Sequence, residues 1–261
     1  GFKLIDRVLE VCDRNGIYLM LDLHAHPGAQ NQHWHSNNPT HYAMFWQHPH
    51  FQDRTVNMWE KLADRYKGNP AIAGYNIMNE PGDASGKKIK PFYDRVVAAV
   101  RAIDPDHIIY LDGNRYGTEF TAFEGAPLYE NTVYAAHDYK TPGMSYGGPY
   151  PGITRGVYVD RAHVEETFVK RTEFMRKTGT PIWIGEFGPV FNNDPERDKD
   201  KYQLLADQLD IYNEHGASWS IWAYKDLGNE GVVAPAPDSP WVNRIRPVLD
   251  KKARLGVDSW G

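Results

Sequence analysis

Cysteine is nearly absent. The single thiol, Cys12, excludes an intrachain disulfide framework and any cysteine-rich zinc site, and it leaves the compartment open. Long apolar runs are missing too. None approaches the ~20 residues needed to span a membrane. Strong charge of either sign is lacking: 29 Lys and Arg stand against 34 Asp and Glu, a net charge of −5. That balance, without basic runs, argues against nucleic acid or a membrane as a partner. The sequence also lacks linkers, low-complexity tracts and repeats. What it has is 261 residues, 41% of them hydrophobic. That is enough for one sizeable core, and it is near the ~250 residues of an α/β barrel. Aromatics reach 13%, with 8 Trp and 16 Tyr. Their flat apolar faces with a polar edge suit both cores and sugar clefts.

Leu4, Ile5, Val8, Leu9, Val11 and Cys12 recur at helical spacing and predict a helix over Phe2–Asn15, stopped by Gly16. Strands are predicted at Ile17–Leu23, Ile72–Met78, His107–Leu111, Thr132–His137, Pro181–Glu186 and Ser218–Ala223. Between and after them, helices are predicted at Phe51–Lys67, Lys88–Ile103, Arg161–Lys177, Asp198–Glu214 and Trp241–Arg254, with a short one near Thr118–Phe123. Strict alternation implies parallel strands joined by helical crossovers. The expected fold class is therefore α/β, a (β/α)8 TIM-type barrel, with residues 1–261 as one domain. Only six strands are counted, so the first two βα units are expected to be lacking; an open six-stranded sheet is the alternative. The connections His24–His50, Asp138–Asp160 and Lys225–Pro240 are long. All three follow strands, so they gather at the carboxyl face where such barrels keep their active sites.

Two glutamates close apolar strands: Glu80 in Ile77-Met78-Asn79-Glu80-Pro81, and Glu186 in Ile182-Trp183-Ile184-Gly185-Glu186-Phe187-Gly188. An ionised carboxylate there is poorly solvated unless it faces a polar cleft. Two of them on one face can push their pKa values apart. Glycoside hydrolysis needs such a pair, one carboxyl to protonate the leaving oxygen and one to attack the sugar carbon.

Those two segments resemble the catalytic signatures of glycoside hydrolase family 5, the cellulase family of retaining enzymes. Further resemblances follow in order: Asp22-Leu23-His24 with Pro27-Gly28, then His137-Asp138-Tyr139, then Trp219-Ser220-Ile221-Trp222. The resemblance implies that Glu80 is the acid/base and Glu186 the nucleophile, and that the chain supplies barrel strands three to eight. It implies hydrolysis of β-glycosidic bonds in β-glucans or related β-glucosides, with no cofactor or metal. The family also carries an Arg near the end of its second strand; nothing before Asp22 can supply it.

Asn79 is expected to bond the sugar 2-hydroxyl, Tyr139 to donate to Glu186, and His24 and His137 to bond carboxylates and sugar hydroxyls. Strand parity makes Trp222 the platform under the sugar, with Trp219 and Trp183 packing against outer helices. Seven of the 11 histidines lie between His24 and His50. In that loop Gln30, Asn31, Gln32, Trp34, His35, Asn37 and Asn38 suit sugar hydroxyls without the desolvation cost of full charges. Lys225 and Asp226 add contacts at the glycone end. His24-x-His26 also admits a rival, a metal-dependent amidohydrolase-like barrel completed by His137 and Asp226, which leaves both glutamates unexplained. A non-catalytic carbohydrate-binding barrel or an inactive fragment is the other alternative. The expected partner is an oligosaccharide or polysaccharide, met by a monomer. No signal peptide is legible, and the compartment stays open.

Overall fold

The computed structural model describes residues 1–139, 149–191, 195–224 and 231–233, with 243, 246 and 247. All six predicted strands form: β1 (Leu19–Asp22), β2 (Ile72–Asn76), β3 (Ile108–Asp112), β4 (Thr132–His137), β7 (Ile182–Glu186) and β8 (Ser218–Trp219). They pair in parallel in the order β1-β2-β3-β4-β7-β8. The missing numbers belong to a small antiparallel hairpin, β5 (Gly152–Thr154) and β6 (Val157–Val159), inside the long loop after β4. Periodicity did not predict it. Its signal is the turn Arg155-Gly156, where both residues have positive φ and so match the twist of a tight hairpin.

Helix α1 (Phe2–Arg14) precedes β1, α2 (Pro49–Tyr66) joins β1 to β2, and α3 (Ile89–Arg101) joins β2 to β3. Helix α2 starts because Pro49 occupies the first turn, where its missing N–H costs nothing. It stops before Gly68, which has a φ of 73°. Thr55, Val56, Trp59, Leu62, Ala63 and Tyr66 form its buried stripe. Trp59 alone is 1% exposed and contributes about 3 kcal/mol of apolar burial; its indole nitrogen donates to the Ile77 carbonyl at 3.0 Å. The helix predicted over Arg161–Lys177 is two, Arg161–Arg171 and Glu173–Thr178. At the break, buried Thr172 donates its hydroxyl back to the Phe168 carbonyl at 2.8 Å, a bond that bends helices. The helix predicted at Trp241–Arg254 lies almost wholly outside the described residues. Among the described residues no helix is long and apolar enough to cross a membrane.

Alternation along the strands sorts the sheet into two faces. Ile109, Leu111, Tyr134, Ala136 and Ile184 join the helices in the hydrophobic core. Tyr110, Asp112, Ala135 and His137 point the other way, into the concave side. Trp183 goes with them, its ring edge-on to Tyr110 at 5.5 Å. This corrects the expectation that Trp183 packs against outer helices: it pairs with Ala135 in register and shares its face. Trp219 does lie on the helix side, against Phe187. Gly74 is required where β2 meets β3, because a Cβ there would stand 2.1 Å from the Ile108 carbonyl oxygen.

The sheet curls until its two edges meet at the rim. His24, just past β1, stacks on Trp222, just past β8, at 5.2 Å and 14°. On the outside, Leu4, Val8, Val11, Ile17 and Tyr18 are exposed near the β1 edge, more clustered apolar surface than a closed domain normally leaves.

Candidate active site

The carboxyl ends of the strands place Glu80, Glu186 and His137 together, with one donor atom from each lying within 4.8 Å of the others. Glu80 sits four residues past β2, at a φ of 47°, a left-handed conformation that costs a non-glycine residue energy unless its surroundings impose it. Here they do. The Glu80 N–H donates to Asp112 Oδ2 at 2.9 Å, and the Glu80 carbonyl accepts from Asn31 Nδ2 at 2.8 Å. Gln30 does the same for the preceding turn, its amide donating to the carbonyls of His24 and Asn79 at 2.8 and 2.9 Å. Gln30 and Asn31 are fully buried. They hold the Glu80 turn in shape, their amides spent on backbone carbonyls, which corrects the expectation that they suit sugar hydroxyls.

The imidazole of His137 is the hub. Its Nδ1 is 2.8 Å from Glu80 Oε1 and 3.6 Å from Glu186 Oε2, and its Nε2 is 3.2 Å from Asp112 Oδ2. Burial alone would discharge this ring. The charges of Glu186, Asp112 and Glu80 around it override burial and hold it protonated, well above the usual His range. Glu186 accepts a hydrogen bond from the Tyr139 hydroxyl at 3.0 Å. Burial pushes its carboxyl up to about 7, more than the neighbouring histidines pull it down. Glu80 is equally buried, but its hydrogen bond from His137 and the charge of that ring leave it below the ordinary carboxylate value. The two carboxyls are therefore pushed apart, Glu186 upward and Glu80 downward.

The trio Glu80, His137 and Glu186 has donor spacing that could also receive a metal ion. The His137–Glu80 contact, however, is at hydrogen-bond length and is filled by the imidazolium proton. The His24-x-His26 pair does not converge on a metal. Both lie past the end of β1, where the chain turns the rings apart: His24 Nδ1 meets Asp22 at 3.2 Å, whereas His26 turns inward to Thr55 at 3.3 Å. Burial drives His26 down to about 3, so it is neutral core.

Residues 1–228 match the family model for Cellulase, glycosyl hydrolase family 5. The chain belongs to glycosyl hydrolase family 5. It is 44% identical, over its whole length, to a β-xylosidase of Phanerodontia chrysosporium, and it spans 56% of that relative's length. It is 23% identical to endoglucanase C of Acetivibrio thermocellus, over 88% of this chain and 74% of that one. The crystal structure of endoglucanase Cel5A from Thermotoga maritima superposes with a TM-score of 0.66 at 22% identity, over 88% of this chain and 72% of that one. A further glycoside hydrolase structure reaches 0.74 at 24% identity, over 89% and 72%. These likenesses establish the fold as that of a (β/α)8 barrel, of which the described residues form six strands.

Within this family 5 chain, the structure brings most predicted site residues to one place. His24 and Trp222 stack on each other, and Trp222 remains 38% exposed to the cleft side. Asn79 is 1% exposed with its amide 3.4 Å from His24 Nε2. His35 Nε2 is 3.3 Å from Glu80 Oε2. Trp34 stands at the rim, half exposed and edge-on to His35 at 5.9 Å. Asn38 is not brought to the carboxylates. It is buried, and its amide donates to the carbonyls of Asn31 and Tyr42 at 2.8 and 3.1 Å. Its oxygen accepts from Thr40, so its polar groups serve the loop. Lys225 and Asp226 lie outside the described residues. Sequence reasoning missed Asp112. The one available signal was an acid at the end of a strand otherwise made of Ile108, Ile109, Tyr110 and Leu111.

The Tyr139 hydroxyl is a neutral donor on Glu186. Replacing Tyr139 with Phe removes a hydrogen bond to a charged group, typically ~1.5–3 kcal/mol. The expected result is a loss of about 10–100-fold in kcat/KM, with Glu186 pushed higher still. A pH–rate profile of the variant checks both.

Proposed function

We propose that this chain hydrolyses β-glycosidic bonds of β-glucans or related β-glucosides with retention of configuration. The observation that carries the reading is the spacing of the two carboxylates. One oxygen of Glu80 and one of Glu186 lie within 4.8 Å. Retaining enzymes hold their carboxyl groups ~5–5.5 Å apart, whereas inverting enzymes need ~6.5–9.5 Å to admit a water.

Glu186 attacks the anomeric carbon and forms a glycosyl ester while Glu80 protonates the departing oxygen; Glu80 then takes a proton from water, which cleaves the ester. In the free site burial raises Glu186, and the His137 hydrogen bond lowers Glu80. Bound sugar must reverse that order before attack, and His137 Nδ1, 2.8 Å from Glu80 and 3.6 Å from Glu186, contacts both. Asn79 and the His24–Trp222 stack frame the sugar.

The pair must keep one proton, so activity is expected to fall as pH rises through about 7, where Glu186 gives up its own. The test is product analysis on β-linked oligosaccharides and aryl β-glycosides, with chelator present. Since the 44% identical relative is named a β-xylosidase, the panel includes β-xylosides. Product anomers are followed by NMR. First-formed β-anomer supports the reading. α-Anomer overturns it in favour of inversion, and no cleavage by folded protein overturns it in favour of a binding barrel.

A further inference from the structure

Each oxygen of Glu80 has its own neighbour. Oε1 is taken by His137 at 2.8 Å. Oε2 is therefore the oxygen left to deliver and collect the proton, and what stands beside it is His35, with Nε2 at 3.3 Å. His35 belongs neither to a strand nor to the two catalytic segments. It rides on a single 3-10 turn, Trp34–Ser36, in the loop after β1.

That turn is built to hold it. Ser36 is 1% exposed, and its hydroxyl donates to the carbonyls of His33 and Asn31, at 2.8 and 3.2 Å. Asn37 closes the turn in the left-handed conformation, at a φ of 55°. Asn31 is also the residue whose amide grips the Glu80 carbonyl at 2.8 Å. One buried asparagine thus ties the backbone of Glu80 to the turn that carries His35. The ring is confined laterally by His24, His33 and Trp34, with centroids 5.6–5.9 Å away. Burial holds His35 below the usual His range despite the facing carboxylate. At neutral pH it meets Glu80 as a neutral N–H donor and not as a second cation.

We infer that His35 is a positioning residue for the acid/base: its Nε2–H fixes Oε2 of Glu80 toward the cleft and stabilises the ionised Glu80 that must deprotonate water in the second step. The inference rests on the retaining reading above. In the free protein the two atoms are 3.3 Å apart without the alignment of a hydrogen bond, as catalytic hydrogen bonds often are before substrate closes the site. The arrangement separates two jobs that fall on one carboxylate. His137 supplies charge at Oε1, and His35 supplies direction at Oε2.

Two variants test it. H35F keeps a ring of similar size and removes the donor; H35Q keeps a neutral donor. The first readout needs no turnover. In protein carrying 13C-labelled Glu carboxyls, the Glu80 titration midpoint is expected to rise by about 0.5–1 pH unit in H35F and to return toward the parent in H35Q. The second readout uses a dinitrophenyl β-glycoside, whose leaving group needs no acid, so that hydrolysis of the glycosyl ester limits turnover. There kcat is expected to fall about tenfold in H35F, within the range for one element of general base catalysis. Added azide should restore it, because azide attacks the anomeric carbon directly, breaking its bond to the Glu186 oxygen and giving a glycosyl azide and free Glu186 carboxylate with no proton to remove. A Glu80 midpoint unmoved in H35F overturns the inference, as does a loss of kcat that azide leaves unchanged. If the parent is inert on every glycoside, the retaining reading fails and the inference falls with it. If the parent is active and H35F behaves like it, only the inference fails.

Discussion

Glu186→Gln abolishes turnover, with an expected loss of at least about 10⁴-fold in kcat, because an amide cannot form the glycosyl ester. Folding moves the opposite way. In the unfolded chain this carboxyl titrates near 4.5, and in the folded protein burial raises it to about 7. Between those values the folded state keeps a proton that the unfolded state has lost. Its favourable contribution is therefore complete below about pH 4.5 and lost as pH rises through about 7. Glutamine has nothing to ionise and is free of that loss. The variant is expected to match the parent near pH 4.5 and to exceed it at pH 8 by on the order of 1–3 kcal/mol. Urea midpoints at the two pH values measure the difference. A variant that is inactive and equally destabilised at both would mean that Glu186 is structural.

Asp112→Ala is expected to produce the largest loss of stability. Asp112 is fully buried, and one of its oxygens serves both the His137 imidazole and the N–H of Glu80, at 3.2 and 2.9 Å. Truncation leaves a buried cation short of one counter-charge and a buried N–H without an acceptor. Breaking a buried charged pair from one side costs about 3–5 kcal/mol, and the left-handed turn at Glu80 loses what imposes it. Activity falls with it, by about 10²–10⁴-fold, since both the orientation of Glu80 and the charge on His137 depend on this residue. Asp112→Asn separates the two effects. It keeps an oxygen for Glu80 and loses the charge, so stability recovers in part while His137 titrates at lower pH. Imidazole NMR reads that shift directly. If His137 titrates unchanged in the Asn variant, the charge of Asp112 is not what sustains the imidazolium.

The contrast between Glu186 and Asp112 marks what a sequence makes legible. Glu80 and Glu186 were found because each interrupts an apolar strand pattern within a recognisable flank, and Tyr139 because it follows His137 at the right spacing. Asp112 carries no flanking motif, and its partners come from the end of β4 and the turn after β2. Gln30, Asn31 and Asn38 show the reverse failure. Their composition suits sugar hydroxyls, yet they are spent on backbone carbonyls of their own loop and of the Glu80 turn. Amide groups bind peptide carbonyls as readily as hydroxyls, and only the path of the chain decides which is nearer. Trp183 was assigned to the wrong face for a similar reason: its neighbours in sequence do not say which side of a curled sheet is concave.

Periodicity and punctuation alone determined the alternating strands and helices and the parallel sheet, because these follow from local spacing along one chain; the two glutamates stand out at strand ends, and the roles proposed for them come from the resemblance to family 5. The tertiary structure decided which carboxyl is pushed up and which is held down. That depends on burial and on His137 lying 2.8 Å from one and 3.6 Å from the other, distances set by how far the sheet curls and by a register shift at the end of β4. The Coulomb energy of a buried charge changes steeply over that difference, and no pattern of residue types encodes it.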